Sequence, residues 1–196
     1  MTEDQINEAQ SLVFACEILT TPDLVLRAPT RDDVPEITSL ANNAKISSML
    51  ESMPYPYFDR HAEAFIENVS KPEAGECVFA ITHVETGALM GMCGIHLVNR
   101  RFEMAHMGYW IGEDYWGQGY ATQAARALVD LFFKIGTEDA LLMSVLETNP
   151  ASRRVIEKCG GRFWKQETNY SSFFEKDMKV DHFRITRENW MGAVAA

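Results

Sequence analysis

The stretch Gly-Tyr-Trp-Ile-Gly-Glu-Asp-Tyr-Trp-Gly-Gln-Gly-Tyr-Ala-Thr, residues 108–122, decides the fold. It begins as an apolar, strand-like run, passes through a glycine turn and opens into a helix whose apolar stripe extends to Ile135. Gly117 and Gly119 let backbone N–H groups approach a ligand without interference from a Cβ atom. The start of the helix adds unpaired donors and a partial positive charge. The stretch therefore predicts a site for an anion such as pyrophosphate, bound by main chain rather than by lysines.

A glycine turn before a helix also occurs as a plain strand–helix connection, so this turn alone leaves both interpretations open. Spacing excludes two nucleotide-binding motifs. The chain lacks a Gly-x4-Gly-Lys-Ser/Thr loop with its phosphate-binding lysine, and it lacks Gly-x-Gly-x-x-Gly followed by an acidic residue one strand later.

The rest of the chain predicts an α/β (α+β) domain around this turn. The elements predicted before the turn are a helix over residues 5–19, a strand at 24–27, a helix from Thr30 to about Lys45, an aromatic loop at 53–58, a helix from Asp59, as its cap, to about Val69, and strands at 77–84, 89–98 and 103–111. Those predicted after it are the helix to Ile135, a strand at 140–146, a short helix to Lys158, and strands at 162–168 and 178–185. This order indicates a mixed sheet, antiparallel at one end and locally parallel around the 120–136 crossover.

Length and composition predict a single folded domain. The chain has 196 residues with 46% apolar content, and we divide it into an N-terminal extension at 1–21, a domain at 22–187 and a C-terminal tail at 188–196. The formal net charge is -10 and there is no lysine-arginine stripe, so nucleic acid is not an expected partner. A cationic acceptor fits this charge, although acidity is also an ordinary route to solubility.

Cysteine spacing and the N-terminus bear on metal, redox chemistry and location. Cys16, Cys77, Cys93 and Cys159 stand singly, without the paired spacing of zinc or dithiol sites, so we expect reduced thiols and no metal. The first residues are acidic where a signal peptide is basic, and no apolar run reaches the ~18 residues that span a bilayer. We therefore expect a cytoplasmic protein that does not engage membranes.

Three segments together resemble a known family. Residues 108–112, 115–122 and 149–160 are similar, in the right order, to consecutive motifs of the Gcn5-related N-acetyltransferase (GNAT) superfamily. They look most like its Rim-type branch, which includes the ribosomal-protein N-terminal acetyltransferases, and the resemblance runs from Leu24 to Ile185. It implies a GNAT fold, a mixed central sheet splayed between its fourth and fifth strands and flanked by helices, with acetyl-CoA as co-substrate.

The resemblance also assigns the residues that contact coenzyme A. The backbone of Trp110, Ile111 and Gly112 and the side chain of Asn149 are the implied contacts with the pantetheine arm, and Ser152 is expected near the thioester sulfur. The implied contacts with the pyrophosphate are the N–H groups of Gln118, Gly119, Tyr120, Ala121 and Thr122, in the turn that begins with Trp116 and Gly117. Trp116 departs from the Gln or Arg usual in the superfamily, a departure common in the Rim-like branch. The alternative role for Asn149 is a helix or turn cap, and the alternative for Ser152 is a solvated first-turn residue.

Catalysis by direct transfer in a ternary complex requires a base, a hydrogen-bond donor and an acid. His106 occupies a strand position where family members often carry Glu, so the resemblance implies that it is the base; a histidine packed on the sheet is the alternative. Ser152 is the expected acid, with Tyr120 or Tyr170 behind it. Glu103 and Glu147 are weaker candidates for the base, and Cys159 is expected to be structural.

The acceptor is expected to be a primary amine, such as a protein N-terminus that starts with Ala, Ser or Thr. Tyr55, Tyr57 and Phe58 are the expected substrate contacts, together with the regions around Asn42–Asn43 and 170–174. A packing lid is the alternative interpretation of the same aromatic loop. Alternatives are a small amine such as a polyamine or aminoglycoside, a catalytically silent acyl-CoA-binding module, and a structural interaction domain. We expect a monomer or a homodimer.

Overall fold

The computed structural model describes residues 18–50, 53–71, 76–99, 104–171 and 173–194. Within these ranges eight strands form one sheet in the order β1-β2-β3-β4-β5-β6-β8-β7. The strands are β1 (Ile18–Thr20), β2 (Leu24–Arg27), β3 (Glu76–His83), β4 (Leu89–Asn99), β5 (Met104–Ile111), β6 (Ala140–Leu146), β7 (Arg162–Ser171) and β8 (Lys176–Thr186).

The pairing of these strands confirms the predicted mixed sheet. Neighbouring strands run antiparallel, except that β5 and β6 run parallel. A parallel pair needs a crossover connection, which the helix between the two strands provides. The last two strands are exchanged in space relative to their order in the chain, because β8 lies between β6 and the edge strand β7.

Helices cover both faces of the sheet. They are α1 (Val34–Ala41), α2 (Ala44–Ser47), α3 (Asp59–Val69), α4 (Tyr120–Ile135), α5 (Pro150–Lys158) and α6 (Arg187–Val194), with 3-10 turns at Arg31–Asp33 and Glu113–Tyr115. One apolar cluster joins α4 and α5 to the sheet, and a second joins α1 and α3 to β3 and β4. In the described ranges, no helix is both long and apolar enough to cross a membrane.

The crossover helix α4 is anchored at both ends. The Gln123 amide donates to Asp23 Oδ2 at 2.6 Å and its oxygen accepts from Thr21 Oγ1 at 3.0 Å, which fastens the first turn to the β1–β2 connection. At the other end the Arg187 guanidinium donates to the carbonyl oxygens of Phe133 and Gly136, both at 2.6 Å. These bonds satisfy acceptors that a helix C-terminus leaves unpaired. The start of α4, which carries the glycine turn, is therefore held firmly against the sheet.

Two predictions about local structure are corrected. The helix predicted through Lys45 breaks after Ala41, because the Asn43 side chain accepts the Lys45 N–H at 2.9 Å and so starts a new short helix. Asp59 is the first residue of α3 rather than its cap. The preceding N–H, of Phe58, donates to His61 Nδ1 at 3.1 Å, so a side chain inside the helix satisfies that donor.

The chain ends also bear on predictions. Residues 5–17 of the helix predicted at 5–19 lie outside the described ranges. The last two residues of that predicted helix are not helical, because Ile18 begins a strand. In the predicted tail the structure has α6, whose Trp190 indole donates to Asp130 Oδ1 at 2.7 Å and stacks on Phe133 with ring centroids 5.4 Å apart. This segment therefore packs on α4.

Candidate active site

A deep cleft opens where β5 and β6 diverge. The two strands pair only at His106–Leu142 and Met107–Met143, so beyond these positions their facing edges separate. The cleft has a volume of about 1550 Å³, which exceeds the ~300–1,000 Å³ usual for a single small-molecule pocket. Its walls carry residues of β3 to β6, α3, α4 and α5. The geometry has room for two ligands that meet at the split between the strands.

The glycine turn forms a cradle of backbone donors at one end of the cleft. Gly117 and Gly119 have φ of 74° and 87°, a region that side chains disfavour, and a Cβ added at either would meet no atom within 4 Å. In the described part of the chain, the N–H groups of residues 117–121 appear as donors in no loop or cap hydrogen bond. They stand at the N-terminus of α4, where an anion is stabilised. Basic side chains on α5, Arg154 and Lys158, line the same cleft.

Two backbone N–H groups that the resemblance assigns to coenzyme A already have partners within the protein. The Thr122 N–H donates to Gly119 O at 3.0 Å, so this N–H is already engaged in the first turn of α4. Gly112 donates to Met90 O at 2.8 Å, accepts from Tyr115 N at 3.0 Å and does not line the cleft. A Cβ at Gly112 would lie 2.8 Å from Leu40, so packing accounts for this glycine.

The other implied contacts divide between the cleft and its rim. Those that line the cleft are Trp110, Ile111, Trp116, Gly117, Gly119, Tyr120, Ala121, Thr122, Asn149 and Ser152. The Trp116 indole donates to Ile111 O at 2.7 Å, which fixes the turn to the end of β5. Gln118 stands outside the lining and its side chain donates to Asp114 O at 3.1 Å.

Two hydroxyl groups meet at the start of α5. The Asn149 side chain accepts the Ser152 N–H at 3.0 Å and thereby caps the helix, the alternative that the sequence left open. The Ser152 hydroxyl lies 2.9 Å from the Tyr109 hydroxyl. Burial raises the pKa of Tyr109 to about 12, so this phenol stays protonated at neutral pH. Tyr109 was not among the residues predicted from the sequence, although it stands within the stretch 108–122. Of the two tyrosines predicted as alternatives to Ser152, Tyr120 lines the cleft, whereas Tyr170 is 64% exposed and outside the lining.

His106 lies in the cleft as part of a row of polar side chains. Its Nε2 is 3.1 Å from Ser144 Oγ, and Ser144 Oγ is 2.8 Å from His182 Nδ1. On the other side the ring of His96 lies 6.4 Å from that of His106, and His96 Nδ1 is 2.8 Å from Glu76 Oε1. Burial, followed by the neighbouring charges of His96 and His182, lowers the pKa of His106 to about 4. His106 is therefore a neutral imidazole at physiological pH.

Only part of the expected acceptor loop reaches the cleft. Tyr57 is buried and lines it, and burial raises the pKa of its phenol. Tyr55 and Phe58 are outside the lining; the ring of Tyr55 lies 5.9 Å from that of Phe173, whereas Phe58 sits under Arg60. Asn42 holds the loop in place, since its side chain accepts the Tyr57 N–H at 3.1 Å.

The wall around Tyr57 is largely apolar. Its apolar members are Ile46, Met49, Leu50, Met53, Ala64, Phe65, Val69, Val78 and Met92. Among the described lining residues, Glu76 is the one carboxylate. Of the other two carboxylates predicted as candidate bases, Glu147 is outside the lining and beside Lys179. Glu103 lies outside the described residues.

Cys93 and Cys159 are buried free thiols. Cys93 and Cys159 are 2% and 3% exposed, and burial raises the pKa of both, that of Cys159 to about 12. A thiol in this state is a poor nucleophile, because the thiolate is the reactive form. The placement of Cys159 agrees with the structural role expected for it.

The sequence of this chain is similar to known acetyltransferases. Residues 23–162, more than half of the chain, match the family model described as an acetyltransferase (GNAT) domain. The uncharacterized N-acetyltransferase p20 of Bacillus licheniformis is 25% identical over 119 residues, which are 60% of this chain and 66% of that protein. The uncharacterized protein YkkB of Bacillus subtilis is 36% identical over 83 residues, 41% of this chain and 47% of that protein. The chain thus spans about half to two thirds of the length of these curated relatives.

Solved structures share the fold at low identity. RimL, described as a ribosomal L7/L12 alpha-N-protein acetyltransferase in complex with coenzyme A, superimposes with a TM-score of 0.72 at 20% identity, covering 85% of this chain and 97% of that one. Spermidine N-acetyltransferase from Vibrio cholerae, in complex with CoA and spermine, superimposes with a TM-score of 0.74 at 22% identity, covering 87% and 99%.

Proposed function

The chain belongs to the GNAT acetyltransferase family, and we propose that it moves an acetyl group from acetyl-CoA to a primary amine by direct transfer in a ternary complex. The observation that carries the proposal is the split between β5 and β6, which leads from the donor cradle at Gly117–Ala121 to the neutral His106. A single cleft thus joins an anion site, an extended slot and a candidate base.

The residues present fit acetyl-CoA, which supplies the acetyl group as a thioester. The N–H groups of residues 117–121 would hold the pyrophosphate, and the side chains of Arg154 and Lys158 offer positive charge for phosphate. The edges of β5 and β6 left unpaired beyond Met107 and Met143 offer backbone groups to the amide-containing pantetheine arm, in the manner of strand addition.

The chain's own groups then have distinct tasks. His106 is neutral at physiological pH and can accept the proton that the acceptor amine loses. The paired hydroxyls of Tyr109 and Ser152 can donate a hydrogen bond to developing negative charge. With a pKa of about 12, Tyr109 is better suited to hold its proton than to release it to a thiolate, whose conjugate acid has a pKa near ~8.5.

We place a protein N-terminal amine, with Ala, Ser or Thr first, ahead of a polyamine as acceptor. Its support is the fold shared with RimL and the wall around Tyr57, which has apolar side chains and a single carboxylate, Glu76. An extended polycation would need several carboxylates spaced along its length. The fold shared with a spermidine N-acetyltransferase keeps a small amine as the second candidate.

The test combines binding with turnover. Acetyl-CoA is titrated by calorimetry, and thiol release is then followed with peptides that begin with Ala, Ser or Thr, with spermidine, and with the same peptides blocked at the N-terminus. Thiol release that requires a free N-terminus supports the leading acceptor, whereas release with spermidine alone supports the second. Binding without turnover on any amine would indicate a silent acyl-CoA-binding module, and absence of binding would refute the whole proposal.

A further inference from the structure

A row of polar side chains extends from His106 across the sheet. Ser144 on β6 bridges His106 on β5 and His182 on β8, with distances of 3.1 Å and 2.8 Å. His182 Nε2 then lies 3.5 Å from Glu167 Oε2 on β7, a charge-pair distance at which the two atoms form no hydrogen bond. The row crosses β5, β6, β8 and β7, which are consecutive neighbours in the sheet.

The register of the sheet explains why these four side chains meet. Ser144 and His182 are direct partners in the β6–β8 ladder, and Glu167 faces Val180, two residues from His182 along β8. His182 is 1% exposed, whereas the side chain of Glu167 is 27% exposed. His106, Ser144 and His182 all line the cleft, and the row leaves it only at Glu167, a carboxylate that water can reach.

Hydrogen-bond chemistry allows the row one of two opposite directions. A serine hydroxyl has one proton, so Ser144 can donate to one histidine only and must accept from the other. If His106 carries its proton on Nε2, it donates to Ser144, and Ser144 donates to His182 Nδ1. His182 then carries its own proton on Nε2, facing Glu167. In this arrangement Nδ1 of His106 is left as the acceptor.

We propose that Ser144, His182 and Glu167 form a proton relay that takes the acceptor's proton from His106 and stores it near the surface. This inference rests on the proposed function, because it needs an amine that loses a proton in the cleft. Ser144, His182 and Glu167 act through His106 and are positioning residues rather than catalytic ones.

The proton balance of the relay is closed. His106 Nδ1 gains the amine proton while its Nε2–H bond breaks in favour of Ser144 Oγ; Ser144 gives its original proton to His182 Nδ1; and the Nε2–H of His182 passes to Glu167. One proton enters at His106 and one arrives at Glu167, and His106, Ser144 and His182 each gain one proton and lose one. Return along the same path restores both tautomers and delivers the proton back to the cleft.

Other charged groups face the row and set its energetics. Glu76 and His96 approach His106 from β3 and β4, and Lys165 pairs with Glu167 on β7. A purely structural role, in which the row only holds strands in register, predicts no proton transfer and is the alternative to be tested.

The first test reads the tautomers and needs no acceptor. In protein labelled with 15N, long-range 1H–15N spectra at pH 7.5 should show His106 and His182 neutral and protonated on Nε2, assigned with His106→Gln and His182→Gln. The Ser144→Ala variant should alter the tautomer balance of both rings. Protonation of either ring on Nδ1 in the parent protein would overturn the proposed direction of the relay.

The second test is kinetic and uses the peptide that the acceptor screen identifies. Ser144→Ala should lower kcat at pH 7 by about 10-fold or more, with the KM for acetyl-CoA unchanged, because the relay loses its bridging hydroxyl. Ser144→Thr should restore most of the rate. A proton inventory in mixed H2O and D2O should be curved for the parent and linear for Ser144→Ala.

A matched control separates the relay from sheet stability. Thr82 is 4% exposed and its hydroxyl donates to Val25 O at 2.8 Å in the same sheet, outside the cleft lining. Thr82→Val should therefore lower the melting temperature without changing kcat. A kcat for Ser144→Ala within twofold of the parent, with an unchanged proton inventory, would refute the relay. A parent that acetylates no amine would refute the proposed function instead, and the tautomers would then decide the relay arrangement alone.

Discussion

A methyl group added at Gly119 should separate backbone strain from ligand binding. Gly119 has φ of 87°, and an added Cβ would meet no atom within 4 Å. The cost to folding is therefore that of a left-handed L-residue, about 1–2 kcal/mol in the free energy of unfolding, without a steric clash. Gly87 has φ of 69°, equally open surroundings, and a position in the β3–β4 hairpin outside the cleft lining, so Gly87→Ala is the matched control.

The two variants should differ in affinity for CoA. The open space beside Gly119 belongs to the donor cradle, so a Cβ there keeps an anion from approaching the N–H groups of residues 117–121. A hydrogen bond to a charged group contributes about 1.5–3 kcal/mol, so loss of one corresponds to about 10-fold to 100-fold weaker binding. Gly119→Val, with its larger and β-branched side chain, should bind no CoA that calorimetry detects.

Urea unfolding and calorimetric titration with CoA check both halves of this prediction. The expected pattern is a similar loss of stability in Gly87→Ala and Gly119→Ala, with weakened CoA binding in Gly119→Ala alone. Unchanged affinity in folded Gly119→Ala and Gly119→Val would show that the turn does not bind the pyrophosphate. Equal loss of affinity in both alanine variants would assign the effect to stability.

Three further outcomes follow from the site. The pKa of His106 lies at about 4 in the folded protein and about 6.5 when exposed, so its contribution to stability is full above pH 6.5 and is lost as pH falls toward 4. Urea unfolding should therefore show that the parent loses free energy of unfolding between pH 7.5 and 5, and that His106→Gln loses roughly 2 kcal/mol less over the same interval. Tyr109→Phe should lower kcat several-fold at pH 7 yet leave the pH–rate profile up to pH 10 unchanged in shape, since a phenol with a pKa of about 12 does not titrate there; a lost alkaline limb would contradict this. Asn149→Ala should cost about 1 kcal/mol of unfolding free energy through loss of the α5 cap, and an unaltered urea midpoint would count against that cap.

The parts of the fold that the sequence predicted well are those set by local chemistry. Gly117 and Gly119 adopt positive φ because the chain must turn sharply between β5 and α4, and the apolar stripe from Ala124 to Ile135 needs only helical spacing to be recognised. Asn149 followed by Pro150 likewise predicts the start of α5. Each of these signals lies within a few residues of the structure it specifies.

Other features depend on partners that are distant in sequence. Gly112 was assigned to the ligand because it follows Trp110 and Ile111, but Met90, which is 22 residues earlier, accepts its N–H. The break at Asn42–Asn43 depends on Tyr57 and Glu113, which the two amide side chains bind. Spacing along one segment contains no information about such contacts, since they require the register of neighbouring strands and loops.

The polar row beyond His106 shows which further information was required. Period-two alternation places Ser144, Glu167 and His182 on strands but leaves open which strands are neighbours. In chain order the strand with Glu167 follows the strand with Ser144, which would suggest direct contact between them. The sheet instead places β8 between β6 and β7, so that His182 is the ladder partner of Ser144 and Glu167 comes after it. This exchange of the last two strands converts separate polar residues into a connected path from the cleft to the surface, and disruption of the β6–β8 ladder would disconnect His106 from Glu167 even if every side chain were kept.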